Sequence, residues 1–321
     1  MSYQIIRYRE DLKNQWDDFI ANSGNGTFLH RRDYMDYHAD RFKDFSLMIF
    51  KNNSLISTLP AHREGTQLIA HNGLTYSDFI FDKKVRIAPQ IDLINASFDF
   101  LLNQGFTDFF VKTIPSFFHN QPNASSLYLY HRMLGHLSEI KPFFVLHTDN
   151  YQLNKGRKKN LKRIQKQNLS ISDDLKYLDD YWQIVNKNLR LTHRTRPVHT
   201  LEEIQLLAQR FPEQIKLLTI FNQTGMLGGA LLFIINKVIH FQYINADPNA
   251  DKSAIDLLII HIIERYKKDF GLISFGSSSA GEQGLNSGLT YWKESFGCKV
   301  LNQYFYKIKL QNRHLLNSIM Q

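Results

Sequence analysis

The sequence predicts an α/β fold built from two tandem units, each with a mixed, mostly antiparallel sheet flanked by helices. Three observations favour this class. The order helix, β-hairpin, strand, helix, strand occurs twice along the 321 residues. A chain of this length exceeds the usual size of one hydrophobic core. Its composition, 43% apolar and 13% aromatic, is typical of a chain that folds throughout.

The first unit opens with an amphipathic helix at residues 11–21, whose apolar side chains recur at helical spacing. Residues 45–63 form two apolar stretches around Asn52-Asn53, a pair that tolerates the positive φ of a tight turn, and this predicts a β-hairpin. The remaining elements are a strand at 67–70, a helix at 87–105 that ends at Gly105, and a strand at 107–115.

The second unit repeats this order. Its elements are a helix at 178–189, a hairpin at 215–236 with its turn near 223–225, a strand at 237–245, a helix ended by Lys267, Lys268 and Gly271, and a strand at 272–276. Phe50 corresponds to Phe221, and Gly105 corresponds to Gly271. The match favours duplication of a domain-sized unit, although generic α/β patterning would give a similar order.

A strongly basic segment lies between the two units and marks a domain junction near residue 150. Leu161 and Ile164 anchor one face of a predicted helix there. The basic residues are Lys155, Arg157, Lys158, Lys159, Lys162, Arg163 and Lys166. Two interpretations stand equally: a solvated helix face, or a stripe that binds phosphate groups.

The formal charge of +9 favours an anionic partner, such as a nucleotide, a phosphorylated carrier, RNA or a membrane surface. Cys298 is the single cysteine, so an internal disulfide is excluded and a packing role is expected for it. The N-terminus is polar, and no apolar run reaches the length needed to span a bilayer. We therefore expect a soluble cytoplasmic protein.

A glycine-rich segment from Phe275 to Gly297 follows the last predicted strand, and glycines there let the backbone approach a ligand closely. The segment is either a flexible surface loop or part of a binding site. In the second case, Lys293 could neutralise a phosphate and Glu294 could act as a base. A surface ion pair of these two side chains is the alternative.

Two further histidine-containing stretches are candidates. His193 could deprotonate an amine, and Arg194 beside it could clamp a phosphate or carboxylate. His240 and Tyr243 lie three apart on a predicted strand, so we expect them on opposite faces. We favour Tyr243 as the substrate contact or acid and His240 as a core residue. The other histidines show no metal-ligand spacing, so metal-free catalysis is expected.

The repeated unit, the segment RKKNLKR, the run LRLTHRTRPVH and the closing run from Gly284 to Gly297 resemble the FemAB-like branch of the GNAT (Gcn5-related) N-acyltransferases. The resemblance covers most of the chain and is most specific from 151 to 306. It implies an N-terminal GNAT-like domain at 1–150, which the tail 307–321 could complete. It also implies a C-terminal GNAT-like domain at 151–306 that carries the active site.

The resemblance implies transfer of an acyl or aminoacyl group from acyl-CoA (acetyl-CoA) or aminoacyl-tRNA to an amino group of a cell-envelope sugar or peptidoglycan-type precursor. The donor would insert where strands 238–245 and 272–276 part, with its phosphates at the following helix N-terminus. Donor contacts would come from Asn245, Lys252, Ser253, Gly276 and Ser277. Substrate contacts would come from Lys159, Arg163, Arg194, Asn286 and Lys293, and the catalytic candidates are Tyr243, His193 and Glu294.

One stretch departs from the family pattern. The expected phosphate-binding loop falls within ADPNADKSA, which lacks glycine and carries Asp247 and Asp251. Only Lys252 is present to neutralise these two carboxylates. Two carboxylates repel a pyrophosphate, which puts coenzyme A in doubt. A catalytically inactive GNAT-like binding module and an RNA-binding protein therefore remain as alternatives.

Overall fold

The computed structural model describes residues 3–193, 195–279 and 284–320. It contains two compact units: unit 1 comprises Met1–Lys141 with Asn302–Gln321, and unit 2 comprises Pro142–Leu301. The division into domains at 150 and 306 stays a prediction.

Unit 1 alternates short strands with helices, as its sequence pattern predicts. Its strands are β1 (Tyr3–Arg7), β2 (Leu47–Lys51), β3 (Ser54–Leu59), β4 (His62–Glu64), β5 (Gln67–Ile69), β6 (Ile80–Phe81) and β7 (Asp108–Lys112), and its helices are α1 (Lys13–Asn22), α2 (Arg32–Met35), α3 (Ile87–Asn103) and α4 (Ser125–Arg132). Asn52 and Asn53 have φ of 49° and 61°, so the predicted hairpin turn between β2 and β3 is confirmed.

The strands of unit 1 form two groups. One has the order β1-β2-β3-β6, and in the other β5 pairs antiparallel with β4 and parallel with β7. Gly105 ends the turn after α3 with φ of 81°, the left-handed conformation expected of a C′ glycine. Phe98 of α3 and Phe109 of β7 lie in one continuous apolar core.

Two long strands pass from one unit to the other along the chain: β8 (His136–His147) and β14 (Lys299–Lys309). Residues 305–309 of β14 pair antiparallel with β7 in unit 1, and the chain ends there in the 3₁₀ segment Leu310–Ser318. Residues 143–147 of β8, which belong to unit 2, pair antiparallel with residues 272–277.

Unit 2 contains one sheet flanked by helices. Its remaining strands are β9 (Ser170–Ser172), β10 (Ile215–Asn222), β11 (Gly225–Ile235), β12 (Val238–Ala246) and β13 (Leu272–Ser277), and its helices are α5 (Lys155–Ile164), α6 (Leu178–Asn188), α7 (Leu201–Arg210), α8 (Ser253–Tyr266) and α9 (Ser287–Glu294). A π-helical segment, Leu189–His193, continues from α6.

The strand order in unit 2 is β8-β13-β12-β11-β10-β9, and its ladders are antiparallel except for the parallel pair β12/β13. This parallel pair flanks α8 in sequence, as β5 and β7 flank α3 in unit 1, so the repeated order has a structural counterpart. The predicted α/β class with mixed, mostly antiparallel sheets is confirmed. Gly271, however, does not end the helix, because α8 stops at Tyr266.

The core of unit 2 lies between the sheet and α8. Ile255, Ile259 and Ile262 of α8 pack on Phe241 and Phe275. Cys298 is buried in this core, and burial raises the pKa of its thiol to about 12.

Candidate active site

The parallel strands β12 and β13 stay paired for only part of their length. Their ladder joins Val238 to Leu272 and ends at His240 opposite Ser274, although β12 continues to Ala246 and β13 to Ser277. Gly276 has φ of 68°, a conformation that turns β13 away from regular extended geometry. The edge of β12 beyond His240 can therefore offer backbone groups to a ligand.

A β-bulge lies in β12 at the same place. Leu231 pairs with Tyr243 whereas Leu232 pairs with Phe241, so Gln242 is an extra residue in β12. Phe241 packs against Phe275 in the α8 core, while Tyr243 contacts α6 on the other face. The expectation that His240 and Tyr243 face opposite sides is therefore wrong, because the bulge breaks the alternation on which it rests.

Tyr243 takes part in an aromatic cluster on the α6 face. Its ring meets that of Trp182 edge-on at 5.0 Å, and its hydroxyl shares a hydrogen bond of 2.9 Å with Nδ1 of His199. Burial raises the pKa of the Tyr243 phenol to about 12, so the group is protonated at neutral pH. A cavity of about 410 Å³, lined in part by Trp182, Arg196 and His199, lies beside this cluster.

Lys293 of α9 lies at the end of β13, with a side chain that is almost fully buried. Its ammonium donates hydrogen bonds to the carbonyl oxygens of Gly276 (3.1 Å) and Ser277 (2.7 Å) and lies 5.3 Å from the centre of the Phe144 ring. Burial lowers the pKa of this lysine to about 8. A surface ion pair with Glu294, the alternative left open by the sequence, is wrong, because Lys293 is 3% exposed while Glu294 is exposed.

His240 is buried at the last pair of the β12/β13 ladder, where Nδ1 lies 3.1 Å from the hydroxyl of Ser274. Burial, with a smaller contribution from the charge of Lys293, lowers the pKa of His240 to about 4. The imidazole is therefore neutral at physiological pH. A neutral imidazole and a buried ammonium therefore both lie near the point where the two strands part.

The N-terminus of α8 is already occupied by side chains of its own loop. The carboxylate of Asp251 accepts a hydrogen bond of 2.9 Å from the backbone N–H of Ser253, and Asp247 accepts one of 2.8 Å from that of Asn249. N–H groups at this position would be the natural donors to a pyrophosphate. Here the N–H of Ser253, the first residue of α8, points at the carboxylate of Asp251, and the N–H of Asn249 in the preceding loop points at that of Asp247.

Two cations outside the loop neutralise these carboxylates. Lys187 pairs with Asp247 at 3.0 Å, and Arg163 pairs with Asp251 at 2.7 Å. The inference that Lys252 alone neutralises these two carboxylates is therefore wrong. Hydrogen bonds from the backbone N–H groups of Asn249 and Ser253, with a smaller contribution from these ion pairs, lower the pKa values of Asp247 and Asp251.

The basic helix α5 is fixed to α8 by a second, more buried ion pair. Arg157 binds the carboxylate of Asp256, which is 3% exposed, and also donates to the hydroxyl of Ser295. The indole N–H of Trp292 donates to the other carboxylate oxygen of Asp256 at 3.1 Å. Asp256 thus joins α5, α8 and α9 through buried polar contacts.

The remaining predicted residues have other surroundings. The side-chain oxygen of Asn286 caps α9 by accepting from the N–H of Leu289 at 2.8 Å. Asn245 lies opposite Gly229 in the β11/β12 ladder. Ser277 hydrogen-bonds Ser279, Lys252 precedes the first residue of α8, and Lys159 is exposed on α5.

Two predicted residues fall where little or nothing is described. The backbone of His193 ends the π-helical segment, but its side chain lies outside the described part of the structure. Arg194 lies wholly outside the described residues. Both stay predictions.

The structure also shows residues that the sequence analysis did not select. His199 ends the run LRLTHRTRPVH, in which the sequence favours His193 as the candidate base. Its hydrogen bond to Tyr243 is visible only in the structure. Asp256 lies on a helix of strongly apolar character, where an acidic residue in the first turn was a signal that could have been used. Gln242 carries no local signal of a bulge.

Two parallel strands separate beside a β-bulge, and the helix that follows the bulged strand begins nearby. This arrangement is typical of the GNAT fold, and the chain has the tandem GNAT fold. The structure of FemX shares this fold: it superimposes with a TM-score of 0.68 at 8% identity, over 99% of this chain and 100% of that one.

Two other solved structures share the fold. One is L-PGS from Bacillus licheniformis, with a TM-score of 0.60 and 11% identity over 96% of both chains. The other is a tandem GNAT protein from the clavulanic acid biosynthesis pathway, with a TM-score of 0.52 and 9% identity over 96% of this chain and 99% of that one. No protein-family model matches the sequence, and no curated protein is significantly similar to it.

Within the described residues, no helix has both the length and the apolar character required to traverse a membrane. The same residues contain no group of three histidine, cysteine or carboxylate side chains placed to hold a metal ion.

Proposed function

We propose that this protein is an N-acyltransferase that moves an aminoacyl group from tRNA to an amino group of a cell-envelope sugar or peptidoglycan-type precursor. The observation that carries the proposal is the early end of the β12/β13 ladder at His240, next to the bulge at Gln242 and the ammonium of Lys293. Backbone N–H groups and a buried cation at one point are suited to stabilise an oxyanion.

The chemistry is addition and elimination at an ester carbonyl. The lone pair of the acceptor amine forms a bond to the carbonyl carbon, and the carbonyl oxygen becomes an oxyanion. The bond from carbon to the ribose oxygen then breaks. The amine loses one proton and the ribose oxygen gains one, so a group that can give and take a proton is useful. The hydrogen bond between the Tyr243 phenol and His199 supports Tyr243 as our candidate for that role.

Lys293 supports the same step in two ways. Its positive charge lies in surroundings from which water is largely excluded, where a charge stabilises an oxyanion more strongly than in solution. Its two hydrogen bonds also hold the carbonyls of Gly276 and Ser277, which fixes the end of β13 beside the opened ladder.

The N-terminus of α8 favours aminoacyl-tRNA over acyl-CoA as the donor. Acyl-CoA would place a pyrophosphate at a helix N-terminus where the N–H of Ser253 already binds Asp251 and where the nearby cations Lys187 and Arg163 are already paired with Asp247 and Asp251. An aminoacyl ester carried by tRNA needs no pyrophosphate there. The fold shared with FemX and with the C-terminal domain of a putative lysylphosphatidylglycerol synthetase from Agrobacterium fabrum is compatible with this choice.

The test is a transfer assay with bulk tRNA charged with radiolabelled amino acids and an amine-containing envelope precursor, run beside a thermal-shift titration with acetyl-CoA. We expect label in the acceptor and no shift with acetyl-CoA, because a ligand that binds only the folded state raises its melting temperature. A shift together with acetyl transfer would overturn the choice of donor. Absence of transfer from both donors would leave an inactive binding module as the better description.

A further inference from the structure

We propose that the exposed lysine face of α5 is a docking surface for the phosphate backbone of double-helical RNA. This rests on the proposed function, which requires an RNA-borne donor, and it assigns that RNA a place on unit 2. The lysine face consists of four lysines of α5 and one lysine just after its end, all exposed: Lys155, Lys158, Lys159, Lys162 and Lys166.

The basic residues of α5 divide into two sets with different surroundings. Arg157 is directed inward to Asp256, and Arg163 is bound to Asp251 and to the hydroxyl of Ser253. These contacts hold the helix on α8, so the five lysines are presented from a fixed support. Lys155, Lys158 and Lys162 are spaced by three and four residues, and Lys159 is also three residues before Lys162, which places these four lysines along one side of the helix.

A shallow depression lies at the C-terminal end of this face. It has a volume of about 560 Å³ and is lined by three lysines, one arginine and one glutamine: Lys159, Lys162, Lys166, Arg163 and Gln165. Phosphate oxygens are suitable partners for such a set, because each lysine can neutralise one phosphate and release its counterions.

The same helix argues against a lipid bilayer as the partner. Its apolar residues, Leu161 and Ile164, are buried against the rest of unit 2, so α5 offers no apolar side chain for insertion between lipids. It also carries no aromatic residue on which an unpaired base could stack. Contact with phosphates alone suits a double-helical stem, which proteins recognise mainly by shape and backbone charge.

The test measures binding of uncharged bulk tRNA and of a short RNA hairpin to the full chain by fluorescence anisotropy at several salt concentrations. The test variant is Lys158→Gln/Lys159→Gln/Lys162→Gln. The control variant, Lys43→Gln/Lys83→Gln/Lys84→Gln, removes the same charge from exposed positions of unit 1.

If five lysines each contact a phosphate, wild-type affinity should fall about 500-fold between about 50 and 200 mM salt, and the test variant, with two contacts left, should lose only about 12-fold. The control should behave as the wild type. Equal effects of the two variants, or binding to phosphatidylglycerol vesicles without binding to RNA, would overturn the proposal.

The transfer assay separates this inference from the proposed function. If both are right, the test variant should raise the KM for charged tRNA and leave kcat unchanged. If the wild type transfers nothing but the test variant still loses RNA binding, the docking surface stands and the proposed transferase activity is rejected. Unchanged KM in an active protein would reject the docking surface alone.

Discussion

Replacing Lys293 by methionine removes the buried charge at the end of β13 while keeping the length of the side chain. We expect the variant to fold at least as stably as the wild type at neutral pH and to lose transfer activity. Removing one stabilising group from an oxyanion site typically costs about 100- to 1,000-fold in kcat. Stability behaves differently, because a buried ammonium is costly to desolvate and a thioether is not.

The size of the stability effect follows from the pKa. Burial lowers the pKa of Lys293 from 10.5 to about 8. A lowered lysine pKa means that the folded state binds the proton less tightly than the unfolded state does. The resulting loss of folding free energy is present in full below the folded pKa and fades as the pH rises towards the unfolded pKa. At pH 7 it is about 3 kcal/mol and at pH 9 about 2 kcal/mol, before subtracting the hydrogen bonds to Gly276 and Ser277 that methionine cannot make.

The assay is urea unfolding of both proteins at pH 7 and pH 9, with kcat measured in parallel. The advantage of the methionine variant should shrink by about 1 kcal/mol across this interval. Lys112 provides a control: it is partly buried, donates to the carbonyls of Asn72 and Leu74, and has a pKa lowered by burial to about 8, but it lies in unit 1. Lys112→Met should reproduce the pH-dependent stability without the loss of transfer. A Lys293→Met enzyme with full kcat would refute the reasoning.

Three further changes test separate parts of the structure. Tyr243→Phe keeps the ring against α6 and removes the hydroxyl, and should lower kcat about 100-fold with little change in melting temperature; an unchanged kcat removes the phenol from the mechanism. Asp78→Asn should gain about 2 kcal/mol over the wild type between about pH 4 and pH 8, because burial raises the pKa of Asp78 from 3.8 to about 6 and its carboxyl costs stability as the pH rises from the first value to the second; a difference in unfolding free energy that is the same at both pH values would contradict this. Arg157→Met should destabilise the protein by about 3–5 kcal/mol by leaving the carboxylate of Asp256 unpaired, and Arg157→Met/Asp256→Leu should recover most of the loss; an additive double variant would contradict this.

The regular elements could be predicted because their signals are local. Helix α3 shows its period of apolar residues, and Gly105 marks its end. The hairpin turn could be placed because asparagine at both Asn52 and Asn53 suits positive φ. For the same reason the repeated order of elements was enough to predict the α/β class and the resemblance to tandem GNAT proteins.

The details of the site depend on contacts between distant residues, which a single sequence does not display. The pair Arg157–Asp256 joins positions 99 residues apart. The burial of Lys293 depends on β8, whose Phe144 lies against its ammonium. By contrast, the capping of α8 by Asp251 was readable, because an aspartate two residues before Ser253 is a common start signal for a helix. The roles assigned to the site residues stay predictions.

The bulge at Gln242 has a consequence for how this protein can change. Because alternation resumes after the extra residue, Tyr243 lies on the α6 face and Ile244 packs towards the α8 core. If Gln242 paired as a regular residue of β12, these two faces would be exchanged: the phenol would enter the apolar core and the isoleucine would leave it. Deleting Gln242 would remove the bulge but leave Tyr243 and Ile244 on their present faces, because two consecutive residues after Phe241 would then alternate regularly. The deletion therefore separates the contribution of the opened backbone from that of the side chains around it.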